Sequence, residues 1–277
     1  MDVETPDIND PAALAAASAR EVWFHSIDLG HGVVTRGQKT PLALARELEA
    51  LRLPDLAGKS VLDIGAYDGF YSFEAERRGA ARVVSMDLHV WQIETSLSPE
   101  YLAECAARNV PPAPPYRTEW LRWRLDPAAM PGKRRFDLAR RALGSRVETV
   151  VKDFMLADPL EVGTFDVVLF LGVLYHTQNP LAALQRVVSL TRGTAVIETE
   201  AMEVPGAADL ALCEFFPTNE LNGDHSNWWS PNLRALLGLL RAAGFKRVDV
   251  LQGPPSVAPA AAGDPPMRYR AIVHAHR

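Results

Sequence analysis

Val61-Leu62-Asp63-Ile64-Gly65-Ala66-Tyr67-Asp68-Gly69-Phe70-Tyr71-Ser72-Phe73 decides how the rest of the 277-residue chain is read. It opens as an apolar run of strand length and breaks at glycine. It then resumes with Phe70 and Phe73 on one helical face. A strand–Gly-x-x-x-Gly–helix unit sets a backbone turn at the carboxyl end of a strand, where open α/β sheets bind ligands. Gly65 permits the sharp turn, and Gly69 would let a ligand approach the backbone. The dinucleotide fingerprint G-x-G-x-x-G needs a second glycine where Tyr67 stands. Room for a pyrophosphate is therefore absent, which disfavours a nicotinamide dehydrogenase. Asp63, two residues before the first glycine, suits a cationic or amine-bearing ligand better than a phosphate. The plain alternative is a glycine-rich turn with no ligand.

Working outward, a second strand runs from Arg82 to Asp87 and is followed by Leu88. An acid about 20 residues beyond such a turn is placed to accept hydrogen bonds from ribose hydroxyls. A third strand, 147–152, ends at Asp153-Phe154, where the acid can receive an adenine amino group and the ring can stack on the base. A fourth, 165–171, ends at Leu171-Gly172. Helices are expected at 70–78, 181–190 and 232–243, and further strands at 194–199, 247–251 and 270–275. Strands alternating with helices call for an α/β, mainly parallel, doubly wound sheet.

Residues 1–55 read as an N-terminal helical and loop lid over a ligand-binding domain at 56–277. Trp23–Gly37, with His25 and His31, is a loop or hairpin, either an aromatic-packed flap or a lid. A short helix covers 41–53. Insertions fall at about 90–145 and 202–230. Between Arg117 and Arg146 nine Lys/Arg face three acids, a pattern that fits either nucleic-acid contact or a solvated helix face near 134–143. The formal charge of −5 gives no global pull toward nucleic acid or an anionic surface. Cys105 and Cys213 lack metal or disulfide spacing and read as free thiols of a reducing compartment. The acidic N-terminus is no secretory signal, and no apolar run approaches the roughly 20 residues that span a bilayer. A cytoplasmic protein is expected, and a homodimer is compatible with the sequence.

Gly172-Val173-Leu174-Tyr175-His176, the Asp63–Gly69 turn, Asp87, Asn227-Trp228-Trp229-x-Pro231 and Arg270-Ala271-Ile272-Val273 together resemble one branch of the class I S-adenosylmethionine (SAM) methyltransferases. That branch includes the tRNA wobble-uridine carboxymethyl-transferring enzymes and related bacterial sugar and secondary-metabolite O-methyltransferases. The resemblance implies a Rossmann-like, seven-stranded sheet with an antiparallel last strand. It also implies a SAM site at Asp63, Gly65, Tyr67, Gly69, Asp87, Leu88, Asp153, Phe154, Leu171, Gly172 and Arg270. The tRNA enzymes hold the extra carboxylate of carboxy-SAM with lysines and a tryptophan ahead of the core. Only Gly37-Gln38-Lys39 resembles that region here, and faintly, and the 90–145 insertion looks foreign to those enzymes. Ordinary SAM and a small hydroxylated acceptor are therefore expected, with tRNA modification as the alternative.

Methyl transfer to a neutral hydroxyl needs alignment and a place for the proton. His176, just after the fourth strand, has a suitable ordinary pKa, and Tyr175 and Glu198 complete the expected catalytic set. Glu198 and Glu200 share a strand face. With Asp224 they form a candidate Mg²⁺ site through oxygen ligands, the alternative being ordinary hydrogen-bonded acids. His25, Glu200, His225, Trp228 and Trp229 are the candidate acceptor contacts. A non-catalytic SAM-binding regulator is a third reading, which unaltered SAM binding after His176→Ala, with no methylated product, would support.

Overall fold

The computed structural model describes residues 6–92, 107–108, 132–207, 209–224, 226–255 and 264–277. Most of the 90–145 insertion, Cys105 and His225 lie outside these residues. Eleven strands are present among them: β1 Trp23–His25, β2 Gly37–Lys39, β3 Ser60–Ile64, β4 Arg82–Asp87, β5 Glu148–Val151, β6 Phe165–Leu171, β7 Thr191–Glu203, β8 Cys213–Phe215, β9 Trp229–Pro231, β10 Arg247–Gln252 and β11 Met267–His276. Seven build the central sheet in the order β10-β11-β7-β6-β3-β4-β5. β5, β4, β3, β6 and β7 are parallel neighbours, while β11 runs antiparallel to both β7 and β10. The expected sheet is thus present, with its antiparallel last strand inserted between two others.

The order follows from burial. β6 carries Phe-Asp-Val-Val-Leu-Phe-Leu, and Phe165, Val167, Val168, Leu169 and Phe170 are all buried. A strand apolar on both faces needs a layer of helices on each side, which only crossover connections supply. Helices Pro180–Leu190 and Leu233–Ala243 share one apolar cluster with Leu62, Val168 and Ile197. Helix Phe70–Arg77 contributes Phe73 and Ala75 to the opposite cluster, with Val61 and Val196.

Helix starts are written locally. Asn179 accepts from Ala182 N ahead of Pro180, Asn232 from Ala235 N, and Thr40 from Ala43 N ahead of Pro41. Gly244 closes Leu233–Ala243 in the left-handed region, at φ 118°.

The N-terminal part packs directly on this frame. Leu14, Trp23, Ile27, Leu29 and Leu51 join Val61, Val167 and Phe136 in one cluster. The stretch 23–37, expected as a loop or hairpin, holds a short parallel pair, Trp23↔Gly37 and His25↔Lys39, around a small antiparallel bridge at Asp28↔Val34. Close approach explains it: a Cβ on Gly37 would stand 2.2 Å from the His25 carbonyl carbon. β7 begins directly at Thr191 and runs thirteen residues, well beyond the expected 194–199.

Candidate active site at the carboxyl ends of β3, β4, β6 and β7

The turn after β3 uses three left-handed residues, Gly65 (φ 77°), Tyr67 (φ 54°) and Gly69 (φ 93°). Gly65 is exposed at the rim. Its amide donates to the Met86 carbonyl at 2.8 Å, which ties the turn to β4. A Cβ there would approach Val173 Cγ2 to 2.7 Å, so the glycine keeps the ends of β3 and β6 close. Tyr67 tolerates its strained backbone because its amide donates to Asp87 Oδ2 at 3.0 Å and its carbonyl accepts from Trp91 Nε1 at 2.7 Å. Gly69 differs from its sequence-based role. A Cβ there would meet Phe73 at 2.5 Å and Phe136 at 2.7 Å, so aromatic packing, not a ligand, fills that space.

Asp87 lies beside the turn and is buried. One carboxylate oxygen takes Tyr67 N and the other Val90 N at 3.1 Å. Each oxygen retains a lone pair for a ribose hydroxyl. Burial raises the Asp87 pKa, and the two backbone amides oppose that rise. Leu88 follows it, half-buried. Asp63 sits beneath the turn instead of facing the cleft. It is buried, accepts from Ser72 Oγ at 2.6 Å, and its pKa is pushed up to about 6 by burial. Asp153 caps the short helix after β5 through Met155 N at 2.9 Å. Phe154 packs into the core 5.3 Å from the Phe170 ring and so does not present a free face to a base.

Beyond β6, Leu171 is half-buried and Gly172, at φ 70°, donates its amide to the Glu198 carbonyl at 3.0 Å. Strand register places Leu171 beside Glu198, and Arg270 opposite Glu200. Arg270 grips Glu198 with two nitrogens, Nε to Oε1 and Nη2 to Oε2 at 2.6 Å, and reaches Glu200 with Nη1 at 3.2 Å. Its guanidinium also covers the Tyr175 ring at 4.8 Å. Burial works against the charge on Arg270, but Glu198 outweighs it and the net shift is upward. Burial raises Glu200, with Arg270 pulling back, and burial raises the Tyr175 phenol.

The expected Mg²⁺ site is corrected by these contacts. A guanidinium already occupies the space between Glu198 and Glu200. Asp224 is engaged elsewhere, accepting from Ser226 N at 2.8 Å and Ser226 Oγ at 2.7 Å. Among the described residues no cluster of three or more His, Cys, Asp or Glu could hold a metal.

His176 is exposed on the cleft wall, yet enough protein surrounds it to lower its pKa by burial, with Asp224 opposing. Its Nδ1 stands 2.8 Å from Ser226 Oγ and 3.2 Å from the Ser226 carbonyl. Trp228 and Trp229 are half-buried and pack on Phe215, the latter at 4.9 Å, and Trp229 Nε1 donates to the Gln178 carbonyl at 3.1 Å.

His25 is no acceptor contact. It is buried, its Nδ1 bonds Asp68 Oδ1, and it stacks on Phe70. Asp68, a residue the motif treats as a spacer, is fully buried and also accepts from Phe24 N and His25 N at 2.9 Å each. Neither Asp68 nor Ser226 was legible from spacing, because their partners lie 43 and 50 residues away.

A methyltransferase-domain family model matches residues 37–250. The chain belongs to the class I SAM-dependent methyltransferases. Similar curated proteins include the tRNA U34 carboxymethyltransferase of Desulfotalea psychrophila, 26% identical over 200 residues, covering 72% of this chain and 48% of that protein. The namesake enzyme of Dichelobacter nodosus is 36% identical over 91 residues, 32% of this chain and 28% of its own. The chain spans about half the length of the longer-matching relatives. Among solved structures, the N-terminal domain of EvdMO1 with SAH bound superposes with a TM-score of 0.59 at 17% identity, covering all of this methyltransferase and 99% of that domain. No helix among the described residues is long and apolar enough to cross a membrane.

Proposed function

We propose that this methyltransferase moves the methyl group of ordinary SAM to a hydroxyl of a small polar acceptor, a sugar or secondary metabolite, in the cytoplasm and without a metal. The observation that carries the reading is the Glu198–Arg270–Glu200 cluster. Two carboxylates on one guanidinium leave the cleft wall with a negative balance, which favours a sulfonium and disfavours the additional carboxylate of carboxy-SAM. Bound SAM would supply an electrophilic methyl on a positively charged sulfur, and that charge is lost as the acceptor oxygen attacks. Asp87 takes the ribose hydroxyls, the Gly65–Tyr67 backbone and Gly172 border the cofactor, and Leu88 and Asp153 flank the base. His176 accepts the proton released by the acceptor hydroxyl, a contribution of about 10²–10⁴-fold for a well-placed base. Trp228 and Trp229 line the acceptor side.

Among the described residues, several members of the basic run are engaged within the protein. Lys133 pairs with Asp137, Arg134 with Glu21 and Arg146 with Glu76, while Arg135 is buried against Tyr67 and donates to the Val22 carbonyl. The names of the curated relatives favour the second reading, a tRNA wobble-uridine transferase. One experiment separates the two. Protein and methyl-labelled SAM are incubated with small-molecule pools that include deoxyhexoses, and separately with bulk tRNA. Mass spectrometry then locates the label. Label on a small-molecule hydroxyl is expected; label only in tRNA overturns the proposal.

A further inference from the structure

We propose that Asp224, acting through Ser226, holds His176 as its Nδ1–H tautomer and thereby presents Nε2 as the unprotonated, proton-accepting nitrogen. The inference rests on the reading of His176 as the base but goes beyond it, since it assigns a positioning role to two residues of the 202–230 segment.

The direction of the hydrogen bonds carries the argument. A carboxylate only accepts. Ser226 Oγ lies 2.7 Å from Asp224 Oδ1, so the single hydroxyl proton points at the carboxylate. Ser226 N donates to the same oxygen at 2.8 Å, which fixes the loop around it. The Ser226 oxygen then has only lone pairs to offer His176, whose Nδ1 stands 2.8 Å away. The second neighbour of Nδ1, the Ser226 carbonyl at 3.2 Å, also accepts only. Two acceptors around one ring nitrogen require that nitrogen to carry the hydrogen. In a neutral imidazole the other nitrogen is then a lone pair.

The electrostatics agree. Burial disfavours the imidazolium of His176, and Arg270 and His89 add repulsion, which shifts the ring toward its neutral form; Asp224 opposes all three and stabilises the cation formed when Nε2 takes a proton. Ser226 is buried while Asp224 sits on an exposed turn, so Asp224 can be altered without opening the core.

Nitrogen-15 NMR of histidine-labelled protein saturated with S-adenosylhomocysteine reads the tautomer directly, and His176→Gln assigns the signal among the seven histidines. The wild type should favour Nδ1–H by about tenfold or more, the ratio one net hydrogen bond sustains. Asp224→Ala releases the serine hydroxyl to donate to Nδ1, so the ratio should fall several-fold. Asp224→Asn keeps an acceptor oxygen and should retain the tautomer while lowering the His176 pKa through loss of the charge. A wild type in the Nε2–H form, or a ratio unchanged by Asp224→Ala, overturns the proposal. The readout uses no acceptor, so failure of the relay and failure of the proposed reaction appear in separate experiments.

Discussion

Replacing Asp68 by alanine should loosen the N-terminal segment from the cofactor turn at a large cost. The carboxylate is fully buried and serves three donors, Phe24 N and His25 N at 2.9 Å each and the His25 ring. Alanine leaves all three without a partner in a site closed to water. An unsatisfied buried donor costs about 1–3 kcal/mol, and a hydrogen bond to a charged group contributes about 1.5–3 kcal/mol. The terms overlap, because the same oxygens serve both. A total near 4 kcal/mol is therefore expected, or about 8–16 °C in melting temperature for a chain of this size. Asp68→Asn should cost less than half as much, since its oxygen still takes the backbone amides and its NH₂ donates to the other His25 tautomer. Urea and thermal unfolding measure both variants. A loss below about 1 kcal/mol for Asp68→Ala would refute the reasoning, because no buried unpaired set of that size is so cheap.

Gly69→Ala places a Cβ 2.5 Å from Phe73 and 2.7 Å from Phe136 at a φ of 93°; thermal unfolding should register a loss of about 2–4 kcal/mol from overpacking and strain together. Asp63, with its pKa raised to about 6, binds its proton more tightly in the folded state than in the unfolded chain. Stability should therefore fall as pH rises from about 4 to about 6 and level off above. Asp63→Asn should flatten that slope, and urea titrations at a series of pH values that show the same slope in both proteins would contradict it. Chelator treatment should leave cofactor affinity and turnover unchanged, since Arg270 already fills the space between Glu198 and Glu200; loss of turnover restored by Mg²⁺ would reverse the assignment.

What the sequence reveals here is whatever repeats locally. β6 is seven residues long and apolar on both faces, so its ends were legible to the residue. The turn after β3 was legible because glycines mark backbone conformations that other residues resist. β7 runs past both ends of the expected 194–199 and passes through Gly193, although a glycine ordinarily weakens a strand interior. The missing side chain of Gly193 instead admits the Asp166 carbonyl, which a Cβ would approach to 2.6 Å. The parallel pairing of β1 with β2 has no local signal, because a glycine-punctuated loop or hairpin has the same composition and only packing separates them.

At the candidate site, the glycine turn and Asp87 lie side by side because their spacing is nearly fixed by the βαβ unit. Arg270, Glu198 and Glu200 were each noticed, but not their mutual engagement, which depends on β11 lying antiparallel beside β7. Asp68 and Ser226 were missed because a hydrogen bond across more than forty residues leaves no periodic trace.

Calorimetric titration with S-adenosylhomocysteine tests most directly whether this cleft is a cofactor site. A single-site isotherm is expected for the wild type. A folded Gly65→Val protein, whose added side chain would run into Val173 at the rim, should show that binding abolished or weakened at least about a hundredfold. No heat with the wild type, or equal affinity in the two proteins, would contradict the account.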